Sequence, residues 1–168
     1  MIKLLLGYIG AFSPIYMFFI TLFLLRHKNL YFFYYIYGTI TNIILNLLLK
    51  LIIKQPRPNE DYKVISIATA NGERFGPDVY GMPSGHAQSG AFNFAYITFI
   101  FQNASLSCFY LIISFITLAQ RYIYKNHTLL QLLVGLIIGL GMGYSVFKYT
   151  NTLIKGQLTH KKDDNGPI

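Results

Sequence analysis

Residues 4–25 carry no charged side chain at all. A segment that long and that apolar can cross a hydrocarbon layer needing about 20 residues, and its backbone polar groups can be satisfied there only as a helix. It exceeds the roughly 7–15 residues of a signal-peptide core, and no small-x-small cleavage pattern follows it, so it reads as a retained helix bent near Ser13-Pro14. Further apolar runs occupy residues 30–53, 87–101, 108–121 and 128–147. The chain is therefore expected to be an all-α, polytopic transmembrane helix bundle of about five spans, with residues 1–168 forming one domain. Composition agrees: 54% of residues are hydrophobic and 12% charged, where soluble proteins carry about a quarter charged residues. The net charge of +8 does not indicate nucleic acid, because the basic residues abut hydrophobic spans and form no surface stripe. The bilayer is the expected partner. Cys108, the sole cysteine, excludes an intrachain disulfide and reads as a small packing residue in an apolar run.

Three polar islands interrupt this pattern, each at the mouth of an apolar run. The first spans residues 50–58. Asn42, Asn46, Lys50 and Lys54 recur every four residues and so share one helical face. A lysine at the bilayer centre costs roughly 2.5–3.5 kcal/mol, which marks Lys50 as functional, whereas Lys54 lies near enough to the helix end to snorkel. Pro56 and Pro58 then hold Arg57 in an extended segment.

The second island spans residues 80–88 and contains Pro83-Ser84-Gly85-His86 at the start of a helix, where free backbone N–H groups attract anions. The third spans residues 120–131, with Arg121, five intervening residues and His127. His127, Gln131, Gly135, Gly139 and Gly143 fall at successive i+4 positions. The glycines form a small-xxx-small face for close packing, and Gln131 lies one turn from His127, able to accept from its ring. Between the first two islands, Glu60, Asp61, Glu73 and Asp78 are scattered singly in a polar loop, a pattern of solvated carboxylates rather than a metal site.

With Arg26-His27-Lys28 and the tail from residue 148 placed in the cytoplasm, counting spans puts all three islands on the opposite, lumenal or extracellular face. A single site is expected there.

Taken together, Lys50-x6-Arg57-Pro58, Pro83-Ser84-Gly85-His86 and Arg121-x5-His127 resemble the three-part signature of the phosphatidic acid phosphatase type 2 superfamily. The resemblance covers about half of the chain. It implies an integral membrane lipid phosphatase that works without metal or other cofactor on a lipid phosphate or diphosphate. In that scheme His127 attacks phosphorus, His86 protonates the leaving oxygen, and Lys50, Arg57, Ser84, Gly85 and Arg121 hold the phosphoryl oxygens. The third motif departs from the pattern at two positions, with Gln120 in place of Ser and Gln131 in place of Asp. Glutamine after the histidine, together with Ile53-Lys-Gln-Pro-Arg-Pro58 and Tyr80-Gly-Met-Pro-Ser-x-His-x-Gln88, is similar to the dolichyl diphosphate phosphatase branch. That branch commonly has Ser at position 85, where this chain has Gly. A polyisoprenyl diphosphate is then the favoured substrate, with phosphatidate and phosphatidylglycerophosphate as alternatives. The rival reading from another class is a catalytically silent protein that binds phospholipid headgroups.

Overall fold

The computed structural model describes residues 2–58, 74 and 76–160, and every ordered element of length in it is a helix. These are α1 (Ile2–Leu25), α2 (Asn29–Ile53), α3 (Gly85–Phe101), α4 (Ala104–Ile123) and α5 (Leu129–His160), with a 3-10 turn at Gly76–Val79. Glu60, Asp61 and Glu73 lie outside the described residues.

Among the described residues four helices are long and apolar enough to cross a membrane: α1, α2, α4 and α5. The fifth, α3, has 17 residues, about 26 Å at 1.5 Å per residue, short of a hydrocarbon core of about 30 Å. It is the central element, packing against all four others. Its small residues make that possible. Gly135, Gly139 and Gly143 of α5 face Ser84, Ala87, Gln88, Ala91, Phe92 and Ala95, and a Cβ at Gly143 would lie 2.6 Å from the Phe92 carbonyl oxygen. At Gly139 the approach to the Gln88 carbonyl is closer still. The glycine face thus packs within the chain.

The bundle is inverted relative to a water-soluble protein. Phe19, Phe23, Phe33, Ile52, Phe115 and Ile137 are exposed, whereas Ser13, Thr21, Asn42, Asn46, Lys50, Asn93 and Thr117 are buried. Apolar side chains face lipid, and polar ones find partners inside because the bilayer offers none. The interior also holds stacked rings of Tyr35, Phe92 and Tyr96. Pro14 lies inside the continuous helix α1. Its missing N–H leaves the Gly10 carbonyl without a helical donor, and the Ser13 hydroxyl donates to that oxygen at 2.9 Å.

Several boundaries differ from the sequence reading. Helix α4 begins at Ala104 rather than 108, because the Asn103 side chain accepts from Leu106 N at 2.9 Å and starts the helix within two residues of α3. Helix α5 continues to His160, past the end expected at 147. Helix α2, by contrast, stops at Ile53 as expected, with Lys54 in the left-handed conformation, so Arg57 reaches the site from an extended segment. Cys108 is exposed on the outside of α4 and packs no core.

Candidate active site

The site lies at one end of the bundle, where the end of α2, the start of α3 and the connection from α4 to α5 meet. Backbone hydrogen bonds sew the islands together. Gly81 N donates to the Gln55 carbonyl at 2.8 Å, joining the first to the second, and Ser84 N donates to the Gln131 carbonyl at 3.0 Å, joining the second to the third. Side chains extend the seam. Asn46 donates to Gln88 Oε1 at 2.8 Å and to the Pro83 carbonyl at 3.2 Å, while Gln88 donates to both oxygens of Asn42 at 2.9 Å. The four-residue spacing on α2 is therefore a buried polar face, with Lys50 at its end, 2% exposed.

His127 is buried, and its tautomer follows from its partners. Nε2 lies 2.9 Å from Arg57 Nη1, which can only donate. Nδ1 lies 2.9 Å from the Gly81 carbonyl oxygen, which can only accept. The proton therefore sits on Nδ1, and Nε2 presents its lone pair toward Arg57. Burial, followed by the charges of Arg57, Lys50, His86 and Arg121, holds the imidazole well below the usual histidine range, so it stays neutral at physiological pH.

Gln131 does less for the imidazole, and more for the scaffold, than the sequence suggested. Its Oε1 is 3.3 Å from His127 Nδ1, the longer of the two contacts there. The same oxygen accepts from Thr128 N at 3.1 Å while Gln131 N donates to Thr128 Oγ1 at 3.3 Å. This is a reciprocal capping box, Thr128-x-x-Gln131, at the start of α5. His127 consequently precedes the helix instead of sharing its i+4 face. The amide nitrogen of Gln131 donates to Gln55 Oε1 at 3.1 Å and to the Pro56 carbonyl at 2.8 Å, clamping the first island onto the third. A Cβ on Gly81 would fall 2.5 Å from Gln131 Oε1, so glycine is what lets that carbonyl reach His127.

Arg57 is the hub. Besides His127 it donates to the Asn126 carbonyl at 3.0 Å and, through Nε, to the Asp78 carbonyl at 3.1 Å. Its Nη2 meets Asp78 Oδ1 at 2.8 Å. Lys50 Nζ meets the same oxygen at 2.7 Å and the Tyr80 carbonyl at 3.1 Å, and Arg74 Nη1 meets Asp78 Oδ2 at 3.2 Å. Asp78 is thus an ion-paired carboxylate among the cations, partly exposed, and not an isolated loop residue. Partial burial opposes its ionisation, but Arg57, Lys50 and Arg74 outweigh that and hold its pKa below the usual carboxylate range.

His86 and Arg121 line a cavity of about 240 Å³ together with Arg74, Asp78 and, from α1, Ala11, Phe12, Pro14 and Ile15. His86 Nε2 lies 2.9 Å from the Ala11 carbonyl oxygen and donates to it. Arg121 Nε donates to Gln120 Oε1, so the glutamine that replaces the motif's serine orients the guanidinium. It has room because Gly10 of α1 crosses there, where a Cβ would sit 2.5 Å from Gln120 Cβ. Ser84 and Gly85 are taken up by packing. Ser84 Oγ caps α3 by accepting from Ala87 N, and a Cβ on Gly85 would meet Asn46 Oδ1 at 3.2 Å. Sequence reasoning missed Asp78 as a site residue, Arg74, the Gly81 carbonyl and the contribution of α1. The Thr128-x-x-Gln131 capping box was a further signal available in the sequence, for the start of α5.

With order, spacing and geometry in agreement, the decisive comparison is that residues 31–155 match the family model of the PAP2 superfamily. The chain belongs to the PAP2 superfamily. The match spans all three islands. Neither the curated proteins nor the solved structures provide a match. PAP2 members are phosphatases, so this chain is of the phosphoric ester hydrolase kind, carried on helices that suit an integral membrane protein. Among the described residues no three His, Cys, Asp or Glu side chains are grouped as metal ligands would be.

Proposed function

We propose that this PAP2 protein hydrolyses a lipid phosphate monoester or diphosphate at the non-cytoplasmic face of its membrane, through a phosphohistidine on His127. One observation carries the proposal. A buried neutral imidazole has its protonated nitrogen fixed by the Gly81 carbonyl and its lone pair set beside Arg57, the best fork in the site for phosphoryl oxygens. Phosphoryl transfer requires chiefly positioning and positive charge around the transferred group, and Lys50, Arg57 and Arg121 supply that charge. His127 Nε2 would form the P–N bond as the bond from phosphorus to the leaving oxygen breaks, with His86, in its protonated form once a phosphoryl group lies beside it, delivering a proton to that oxygen. Water would then attack phosphorus, giving its proton to His86 as the P–N bond breaks, which returns the lone pair to His127 and releases phosphate. His86 would turn from the Ala11 carbonyl to the leaving oxygen, which enters through the cavity they share.

The favoured substrate is a polyisoprenyl diphosphate, on the likeness of Gln131 and its neighbours to the dolichyl diphosphate phosphatase branch. The test is phosphate release by the detergent-purified protein in EDTA from dolichyl diphosphate, phosphatidate and phosphatidylglycerophosphate. The expected result is release from dolichyl diphosphate above the others, abolished in His127→Ala. No release above that variant on any substrate overturns the catalytic reading.

A further inference from the structure

The cations assigned above to phosphate already hold an anion of the protein's own. Asp78 Oδ1 lies 2.7 Å from Lys50 Nζ and 2.8 Å from Arg57 Nη2, and Oδ2 lies 3.2 Å from Arg74 Nη1. The two arms of the Arg57 guanidinium are divided, Nη1 to the His127 lone pair and Nη2 to the carboxylate. A phosphoryl group held by Arg57 and Lys50 beside His127 needs the place that the Asp78 carboxylate occupies. Exposure shows which partner can yield. The side chains of Lys50 and Arg57 are 2% and 8% exposed and fixed among helices, while that of Asp78 is 55% exposed, on a short turn at the surface.

We propose that Asp78 is an exchangeable internal anion of the phosphate site, keeping Lys50 and Arg57 in place while the site is empty and competing with phosphate for them. This rests on the assignment of those cations to phosphate. The charges favour exchange by the intended ligand. A carboxylate brings one charge and two oxygens, whereas a terminal phosphoryl group brings a charge of about −1.5 to −2 and three acceptor oxygens. A ligand that binds only the fraction of sites free of the carboxylate has its apparent affinity reduced by that fraction. The reduction applies equally to substrate, to diester headgroups of the surrounding lipid and to released inorganic phosphate. Asp78 would thus keep the site from filling with abundant diesters and would speed departure of the product.

The sign of one measurement separates this role from a structural one. Binding of inorganic phosphate and of dimethyl phosphate to the full chain in detergent would be followed by calorimetry for wild type, Asp78→Asn and Asp78→Ser, with helical content checked by circular dichroism. Competition predicts that both variants bind both probes at least tenfold more tightly, and by the same factor for each probe. With turnover, kcat and KM should fall together as product is retained. Unchanged or weaker binding in the two folded variants overturns the proposal, and so does loss of the helical fold in both, which would make Asp78 a structural tie. Binding is read without turnover. Tighter binding in a protein that hydrolyses nothing supports Asp78 as competitor while removing the catalytic reading, and hydrolysis with unaltered binding does the reverse.

Discussion

Replacing Gln131 by alanine separates scaffold from catalysis. The side chain is fully buried and makes four polar contacts: Oε1 with Thr128 N and His127 Nδ1, and Nε2 with Gln55 Oε1 and the Pro56 carbonyl. Alanine leaves the Thr128 N–H and two part-buried acceptors without these bonds. Each group left without a partner costs about 1–3 kcal/mol and a helix cap about 1 kcal/mol, so a loss of roughly 3 kcal/mol or more is expected. At roughly 2–4 °C per kcal/mol for a chain of this size, Tm should drop by about 6–12 °C. The rate should suffer less than the motif suggests. Losing the imidazole's orienting group costs about 10⁴ in the Ser-His-Asp template. Here the Gly81 carbonyl, at 2.9 Å, still holds Nδ1 when Gln131 is gone. Phosphate release, assayed well below the lowered Tm, should fall by less than about a hundredfold, far short of the roughly 10⁴ of that template. Gln131→Glu supplies the contrast. It keeps the acceptor for Thr128 and His127 but turns a carboxylate oxygen toward Gln55 Oε1 and the Pro56 carbonyl, so it should be destabilised about as much as alanine. A folded Gln131→Ala protein that has lost 10⁴ in rate would refute the assignment of Gly81 as orienting group. A Gln131→Glu protein as stable as wild type would refute the clamp.

Two further perturbations probe the packing and the nucleophile. Gly139→Ala pushes a Cβ into the Gln88 backbone and should cost about 1–3 kcal/mol or more by overpacking, read as a lower Tm, while Gly141→Ala meets nothing within 4 Å and should be neutral or gain up to about 1 kcal/mol of helix propensity. His127, depressed first by burial and then by Arg57, should keep an unprotonated Nε2 on lowering the pH from 8 to 6, read by ¹⁵N NMR of the imidazole; its folded pKa lies below its unfolded value of about 6.5, so its contribution to stability is full above that value and declines as pH falls below it. A ring that titrates at its ordinary value would contradict the burial and the Arg57 contact together.

What could be read in the sequence was periodic. The Asn42–Asn46–Lys50 spacing became a buried face, and the glycine ladder became the α3–α5 contact, because a helix places every fourth residue on one side regardless of its neighbours. What escaped was non-local or lay in the backbone. Asp78 stands 28 residues from Lys50 and 21 from Arg57, in a loop where nothing periodic announces a partner. The acceptor for His127 is a main-chain carbonyl, and its availability depends on Gly81 lacking a side chain. Pro14 suggested only a bend, yet it lies beside the Ala11 carbonyl that receives His86. Boundaries moved where caps decided them, at Asn103 and at the Thr128–Gln131 box.

The amide at position 131 is better understood from its neighbours than from the acid it replaces. A carboxylate there would face the Pro56 carbonyl and Gln55 Oε1, both acceptors, in a buried setting that would penalise the charge. Glutamine matches them, and Gln55 and Gln131 form a pair in which changing one alone strands the other. The imidazole loses no proton acceptor, since Gly81 provides one. It does lose a countercharge, and burial, together with Arg57, Lys50 and Arg121, keeps His127 neutral. Such a field suits a nucleophile whose target brings its own negative charge. On the proposed reading, a phosphoryl group would supply at binding what an aspartate would supply permanently, while in its absence Asp78 pairs with Lys50 and Arg57 from the solvent side.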